Sequence, residues 1–123
     1  MFVKKVEDLL IYQLAVEVAG QVDELVKGIP RYWANKECDQ LLRSANSVPS
    51  NISEGFGRRF HKKQWIYFLD IAKGSGDESQ THLRLLMDGG YLREEKSLDL
   101  IRKFKNICIK IVNFQAYLRN RQD

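Results

Sequence analysis

The apolar pattern predicts an all-α protein, an up-down-up-down antiparallel four-helix bundle whose second helix is kinked at Pro49, in a single domain spanning 1–123. Three observations lead there. Apolar residues recur at helical three- and four-residue steps in four long segments. Nothing alternates with strand period, and there is no low-complexity tract or internal repeat. The connections are short, which favours antiparallel neighbours. A chain of 123 residues is also long enough to bury one core without disulfide staples.

The first helix is expected over about 8–27, with Asp8 as N-cap and Gly28-Ile29-Pro30 as the stop. Ile11, Leu14, Val18, Val22 and Leu25 form its buried face, and Leu9, Tyr12, Val16 and Ala19 a neighbouring stripe. The second is expected over about 34–55, closed by Gly55 and Gly57 because glycine takes the left-handed conformation that ends helices. The third spans about 62–88 and stops at Gly89-Gly90. Its predicted inward stripe is Trp65, Phe68, Ala72, Ser75, Ser79, His82 and Leu86, large at the ends and small in the middle. That small middle, with Gly74 and Gly76 alongside, is expected to lie against residues 44–53. The fourth spans about 94–121, with a heptad stripe of Leu100, Phe104, Ile107, Ile111, Phe114 and Leu118 and a second of Ile101, Cys108 and Val112. The apolar faces of the first and fourth helices are wider than a small bundle requires, which predicts a homo-oligomer, the alternative being a generously hydrophobic monomer.

The most distinctive stretch is residues 40–59, a helical pattern with a proline at its centre and a dense run of small and polar residues. Pro49 has no N–H to give the Ala45 carbonyl, and its ring disfavours helical geometry at Val48. Inside a helix this costs on the order of 3 kcal/mol unless neighbours such as Ser47 or Ser50, or a water, satisfy the carbonyl. The spacing of Leu41, Leu42, Ala45, Val48 and Ile52 continues across the proline, which favours one kinked helix over two. Arg43, Asn51 and Glu54 sit among small neighbours, and if buried each must be paired. Glu78 on the third helix is the natural partner of Arg43 or Asn51. These four residues are readable as a ligand-binding polar pocket or as an internal network that fixes helix register, and the second reading is favoured.

At these residues the chain resembles the small bacterial four-helix-bundle proteins encoded in intervening sequences of large-subunit ribosomal RNA genes, a family that includes accessory proteins of diversity-generating retroelements. The resemblance rests on Gln40, Leu41, Arg43, Ala45, Ser47, Val48, Pro49, Asn51, Ile52, Glu54, Gly55 and Arg58. Phe68-Leu69, Ile71-Ala72, Gly74-Ser75, Glu78, Thr81 and Gly90-Tyr91-Leu92 form a second similar block. Asp8-Leu9, Tyr12-Gln13 and Ala15 are like the family's first helix, whereas the fourth helix matches only in being amphipathic. Gly76, where larger apolar residues are usual, and His82 on the inward stripe depart from the pattern. The resemblance implies a ring-shaped homo-oligomer, commonly a pentamer, with no established enzymatic activity. Retroelement members are linked to nucleic acid and to a reverse transcriptase partner.

The net charge of +4 and pI near 9.1 permit contact with RNA, DNA or an acidic partner without requiring it. The candidate nucleic-acid-binding residues are Arg58, Arg59, Lys62 and Lys63, which with Phe60 and His61 gather positive charge and an aromatic ring at a helix start. Lys103, Lys105, Lys110, Arg119 and Arg121 add charge to the fourth helix, and a ring would multiply a modest patch through avidity. A protein–protein scaffold is the alternative, with basic residues that simply solvate a loop and a helix face.

Enzyme readings find little support. His61 and His82 have no second His, Cys or carboxylate at convincing metal-ligand spacing. No serine or cysteine has a nucleophile's context, and the stretch around Gly55 and Gly57 lacks the lysine spacing and preceding strand of a phosphate loop. The expectation is a non-enzyme with no metal or cofactor, and with His82 a satisfied core histidine. Cys38 and Cys108 read as reduced core or interface residues. Residues 1–5 carry two lysines but no signal-length apolar run, and nothing approaches the roughly 20 apolar residues of a membrane span. Asn51-Ile52-Ser53 matches a glycosylation sequon that means little without secretion. The expected location is the cytoplasm, with no membrane partner.

Overall fold

The computed structural model describes residues 3–122, and all regular structure among them is helical. A 3-10 turn, Val6–Asp8, leads into α1 (Leu10–Val26), α2 (Arg31–Gly57), α3 (Lys62–Asp88) and α4 (Glu94–Asn120). The packing of α2 on α3 is the most extensive, followed by α3 on α4, while α1 lies on α2 and meets α4 to close the circuit. Among the described residues the diagonal helix pairs make no close backbone approach. This is the predicted four-helix bundle.

Val18 and Val22 from α1, Leu41 and Ile52 from α2, Leu69 and Leu83 from α3, and Phe104 and Ile111 from α4 meet in the core. Each such side chain contributes about 1.5–3 kcal/mol by leaving water. The second stripes of α1 and α4 are partly used by the bundle itself, since Leu9, Ala19, Ile101 and Cys108 are buried. Leu10, Val16, Ile109 and Val112 remain exposed.

Several local expectations need correction. Asp8 is not the N-cap of α1: it belongs to the 3-10 turn, whose N–H bonds run from Asp8 to Lys5 O and from Leu9 to Val6 O, both 3.0 Å. Leu9 takes the cap position and is buried, so chain entry is set by apolar packing instead of a side-chain oxygen. In α2 a departure from helical dihedrals that the sequence did not suggest lies near its start, at Ala34 (φ −134°, ψ 33°), while one helix continues across Pro49 as the apolar spacing predicted. Nearby polar side chains bond back onto the preceding turn: Ser50 Oγ donates to Asn46 O, and Asn51 Nδ2 to Ser47 O, each at 2.9 Å.

Gly55 and Gly57 do not end α2 in a left-handed conformation, because Gly90 is the glycine with positive φ (82°) among the described residues. Gly55 is instead a packing position: a Cβ there would lie 2.5 Å from Trp65 Cε3 and 2.9 Å from Phe68 Cβ. The predicted stop of α3 holds in detail. Tyr91 N–H bonds to Leu86 O and Gly90 N–H to Met87 O, the paired bonds of a Schellman motif.

The inward stripe of α3 is rotated from the predicted one. Trp65, Ala72, Ser79 and Leu86 are buried as expected, but Leu69, Gly76 and Leu83 replace Phe68, Ser75 and His82, which are half-buried. Leucine loses less than histidine or serine by leaving water, so the helix turns its more apolar heptad edge inward. The small middle does lie against α2, through Ser44 Oγ to Ser79 Oγ and Ser75 Oγ to Ser47 Oγ, each at 2.9 Å. Gly76 faces α4 instead, where a Cβ would come 2.6 Å from Cys108 Sγ.

Candidate nucleic-acid interface at one end of the bundle

The up-down topology brings four pieces of chain to one end: the entry to α1, the close of α2, the start of α3 and the close of α4. The end of α2 turns through Arg58 N–H to Gly55 O and Arg59 N–H to Phe56 O, bonds of 2.9 and 3.1 Å. That tight turn delivers Arg58, Arg59 and Phe60 to the corner just before Lys62 and Lys63 open α3.

The four predicted cations do not act alike. Arg59 stacks its guanidinium 4.0 Å from the Phe56 ring centroid and 4.7 Å from that of Phe60. Its Nη1 also donates to Phe56 O at 2.9 Å, which holds the charge in one orientation. Lys62 Nζ reaches across to Arg121 O at 2.6 Å and ties the start of α3 to the end of α4. Arg58 turns along the surface, pairing with Glu54 at 3.2 Å, bonding Gln64 Oε1 at 3.2 Å and covering the Phe68 ring at 5.1 Å. Lys63 is exposed.

Arg59 and Lys62 border an open cavity of about 680 Å³. Its walls are aromatic, with Phe56, Trp65, Phe114 and Tyr117 around it and Phe60 at its edge. Trp65 meets Phe56 and Phe114 edge-on, with centroids 6.2 and 5.5 Å apart and both interplanar angles 78°. Phe114 and Tyr117 stack nearly parallel at 5.9 Å and 17°. Lys4 and Arg121 add cations to the lining, which includes no carboxylate among the described residues. The arrangement is suited to a flat, electron-rich group carrying negative charge.

Trp65 and Phe114 were predicted as core, and the cavity they border was not legible. The available signal was the i, i+3 pair Phe114 and Tyr117 running into Arg121, an aromatic and basic helix end. Of the other basic residues predicted on α4, Lys103 faces elsewhere, 3.0 Å from Gln21 of α1 and 3.2 Å from Asp99.

The predicted polar network is divided. Arg43 Nη2 meets Glu78 Oε2 at 2.6 Å, as expected, but the pair lies toward solvent. Among the described residues Asn51 bonds within its own helix, to Ser47 O and Oγ. Glu54 lines a separate open groove of about 710 Å³ between α1 and α2, with Pro49, Ser53 and Tyr12. The four do not form one pocket. His82 Nε2 lies 3.1 Å from Glu78 Oε2, while its Nδ1 is enclosed without a hydrogen bond, so the histidine is only half satisfied.

Cys38 and Cys108 are both buried thiols. Burial, helped by nearby Asp77, pushes the Cys108 thiol up to about 12, which suits a packing residue and not a nucleophile. Among the described residues no cluster of three or more His, Cys, Asp or Glu side chains is placed to hold a metal ion. No helix there is long and apolar enough to cross a membrane.

Fold and site together define a small all-α bundle with one basic, aromatic-lined end. The chain belongs to the 23S rRNA-intervening sequence protein family, whose pattern it matches over residues 7–113. It is also similar to a crystal structure of a protein of unknown function from the S23 ribosomal protein family of Bacteroides thetaiotaomicron. That likeness has a TM-score of 0.75 at 22% identity, covers 86% of this chain and 98% of that one, and shows the fold alone. No match was found among curated proteins.

Proposed function

We propose that this chain is a non-enzymatic, self-associating bundle that binds nucleic acid through its basic end, as an accessory factor in the cytoplasm. One observation carries the reading: Arg59 and Lys62 border an aromatic cavity whose described lining has cations and no carboxylate. Phosphate attracts such a surface over a distance, and aromatic faces accept bases of any sequence. Arg58 and Lys63 extend the positive charge around the corner. Self-association is supported by Leu10, Val16, Ile109 and Val112, apolar side chains exposed on α1 and α4. A ring of copies, commonly five in the resemblance to intervening-sequence proteins, would repeat the basic end and strengthen binding by avidity. A reverse transcriptase partner enters only through the retroelement branch of that resemblance.

Light scattering during size-exclusion chromatography tests the assembly, with an oligomer near five subunits expected. Binding of a labelled single strand across a salt series tests the site. Each cation that meets a phosphate adds about 0.7 to the slope of log affinity against log salt. Joint replacement of Arg58, Arg59, Lys62 and Lys63 by glutamine should weaken binding and flatten that slope. Weak binding that the replacement leaves unchanged would favour the scaffold reading, for which exposed Tyr67 and Leu85 on α3 offer contact surface.

A further inference from the structure

We infer that the cavity at the basic end receives an unstacked base, so that the preferred ligand is single-stranded nucleic acid and not duplex. The inference rests on the nucleic-acid reading above and adds the class of ligand and how it is held.

A basic surface alone does not distinguish a single strand from a duplex, because both present phosphates. An aromatic recess beside that surface does. Bases within a duplex are stacked on each other and cannot enter a pocket, whereas an unpaired base can turn out and stack on a ring or a guanidinium plane. Here the recess is about 680 Å³, within the range of small-molecule sites, and large enough for one nucleoside unit. Phe60 is 85% exposed, yet its ring is held beside the Arg59 guanidinium at 4.7 Å. An apolar ring kept in water next to an oriented cation forms a stacking platform with a phosphate contact adjacent to it.

Arg59 is positioned for both parts of the contact. Among the described residues its guanidinium makes one hydrogen bond, from Nη1 to Phe56 O, which leaves the far edge for a phosphate. Its faces are against rings, the geometry in which a guanidinium loses least freedom on binding. The edge-on contacts of Trp65 with Phe56 and Phe114 keep those walls from closing face to face. An acidic peptide is the competing ligand. It would also meet the cations, but an acidic side chain has no ring to stack on Phe60 and Tyr117, the exposed rings of the lining, and the described residues offer no strand edge for its backbone.

The test compares a short oligouridylate, a duplex of equal length and an acidic peptide, read by anisotropy and by Trp65 emission with Trp33 replaced by phenylalanine. The single strand should bind at least tenfold tighter than the duplex and alter Trp65 emission, while the peptide should leave it unchanged. Phe60→Ala, at an exposed position where folding is not at risk, should weaken single-strand binding about tenfold and duplex binding far less, by about twofold through the loosened Arg59. Tyr117→Ala, checked for native helix content, should act in the same direction. Equal affinity for single strand and duplex, with no effect of Phe60→Ala, would overturn the base pocket. If the four-glutamine variant still lost binding in that case, the basic-end reading would survive; if it did not, both would fall. An equal Trp65 response to the acidic peptide would reassign the cavity to peptide and overturn the inference.

Discussion

The α2–α3 seam and the aromatic end of the same two helices solve opposite problems. Along the seam, Ser44, Ser47, Ser75 and Ser79 bring two backbones together and satisfy one another's hydroxyls. Ser44 and Ser79 are fully buried, so no space remains for a ligand. At the end, large rings meet edge-on and leave a cavity bordered by cations. Small side chains stabilise by close approach, whereas rings that cannot interdigitate leave a shaped opening. Gly55 joins the two regions, because its missing side chain lets Trp65 pack down onto α2 while that ring still forms a wall of the cavity.

Gly55→Ala should therefore have the largest effect on stability. A new methyl 2.5 Å from Trp65 must displace a ring that neighbouring aromatics hold in place. With three carbon atoms this close, the overpacking falls at the top of the usual range, about 3 kcal/mol, against a helix-propensity gain of about 1 kcal/mol. A net loss of about 2 kcal/mol is expected in urea unfolding, together with a change in Trp65 emission. A stabilised variant would mean that the seam and the cavity are not coupled through this position.

Gly76→Ala asks the same question on the α4 side and should cost less, about 1 kcal/mol, because its close neighbour is the single Cys108 Sγ atom. Adding Cys108→Ala removes that atom. A double-mutant cycle should then show favourable coupling of about 1 kcal/mol between the two substitutions. Additivity within a few tenths would mean that Cys108 Sγ does not limit the approach of α3 to α4.

The smallest effect is expected from Arg43→Gln. Its ion pair with Glu78 is short, but the Arg43 side chain is 64% exposed, and such pairs contribute about 0–1 kcal/mol. A thermal melt should barely move. A loss well above 1 kcal/mol would return the Arg43 and Glu78 pair to the structural network that the residue pattern suggested.

Pro49 and Ala34 show what a local reading finds and what it misses. The chemistry of Pro49 is fully visible in the sequence, and one helix does continue across it; the departure from helical dihedrals at Ala34, near Pro30 and the turn into α2, was not foreseen. A proline inside a helix leaves one hydrogen bond unmade, and packing on both sides keeps the segment helical. Val48 and Ile52 are fully buried around the proline, which holds that stretch in register. Gly55 illustrates the same limit, since a helix-ending glycine and a close-packing glycine are the same letter.

Helix number, span and order were legible because period and punctuation are local: α3 begins and ends at the predicted residues, and the stop at Gly89 and Gly90 is made by bonds within a few residues. The Arg43–Glu78 contact and the serine seam were also legible, because complementary small and polar residues occupied matching positions on consecutive helices. The rotation of α3 that puts Leu69, Gly76 and Leu83 inward was not, because adjacent heptad edges differ by less than the gain from packing against particular neighbours. Least legible was the cavity, whose walls come from Phe56, Trp65 and Phe114 on three helices. It is the space left where helix ends meet, and no segment taken alone contains it.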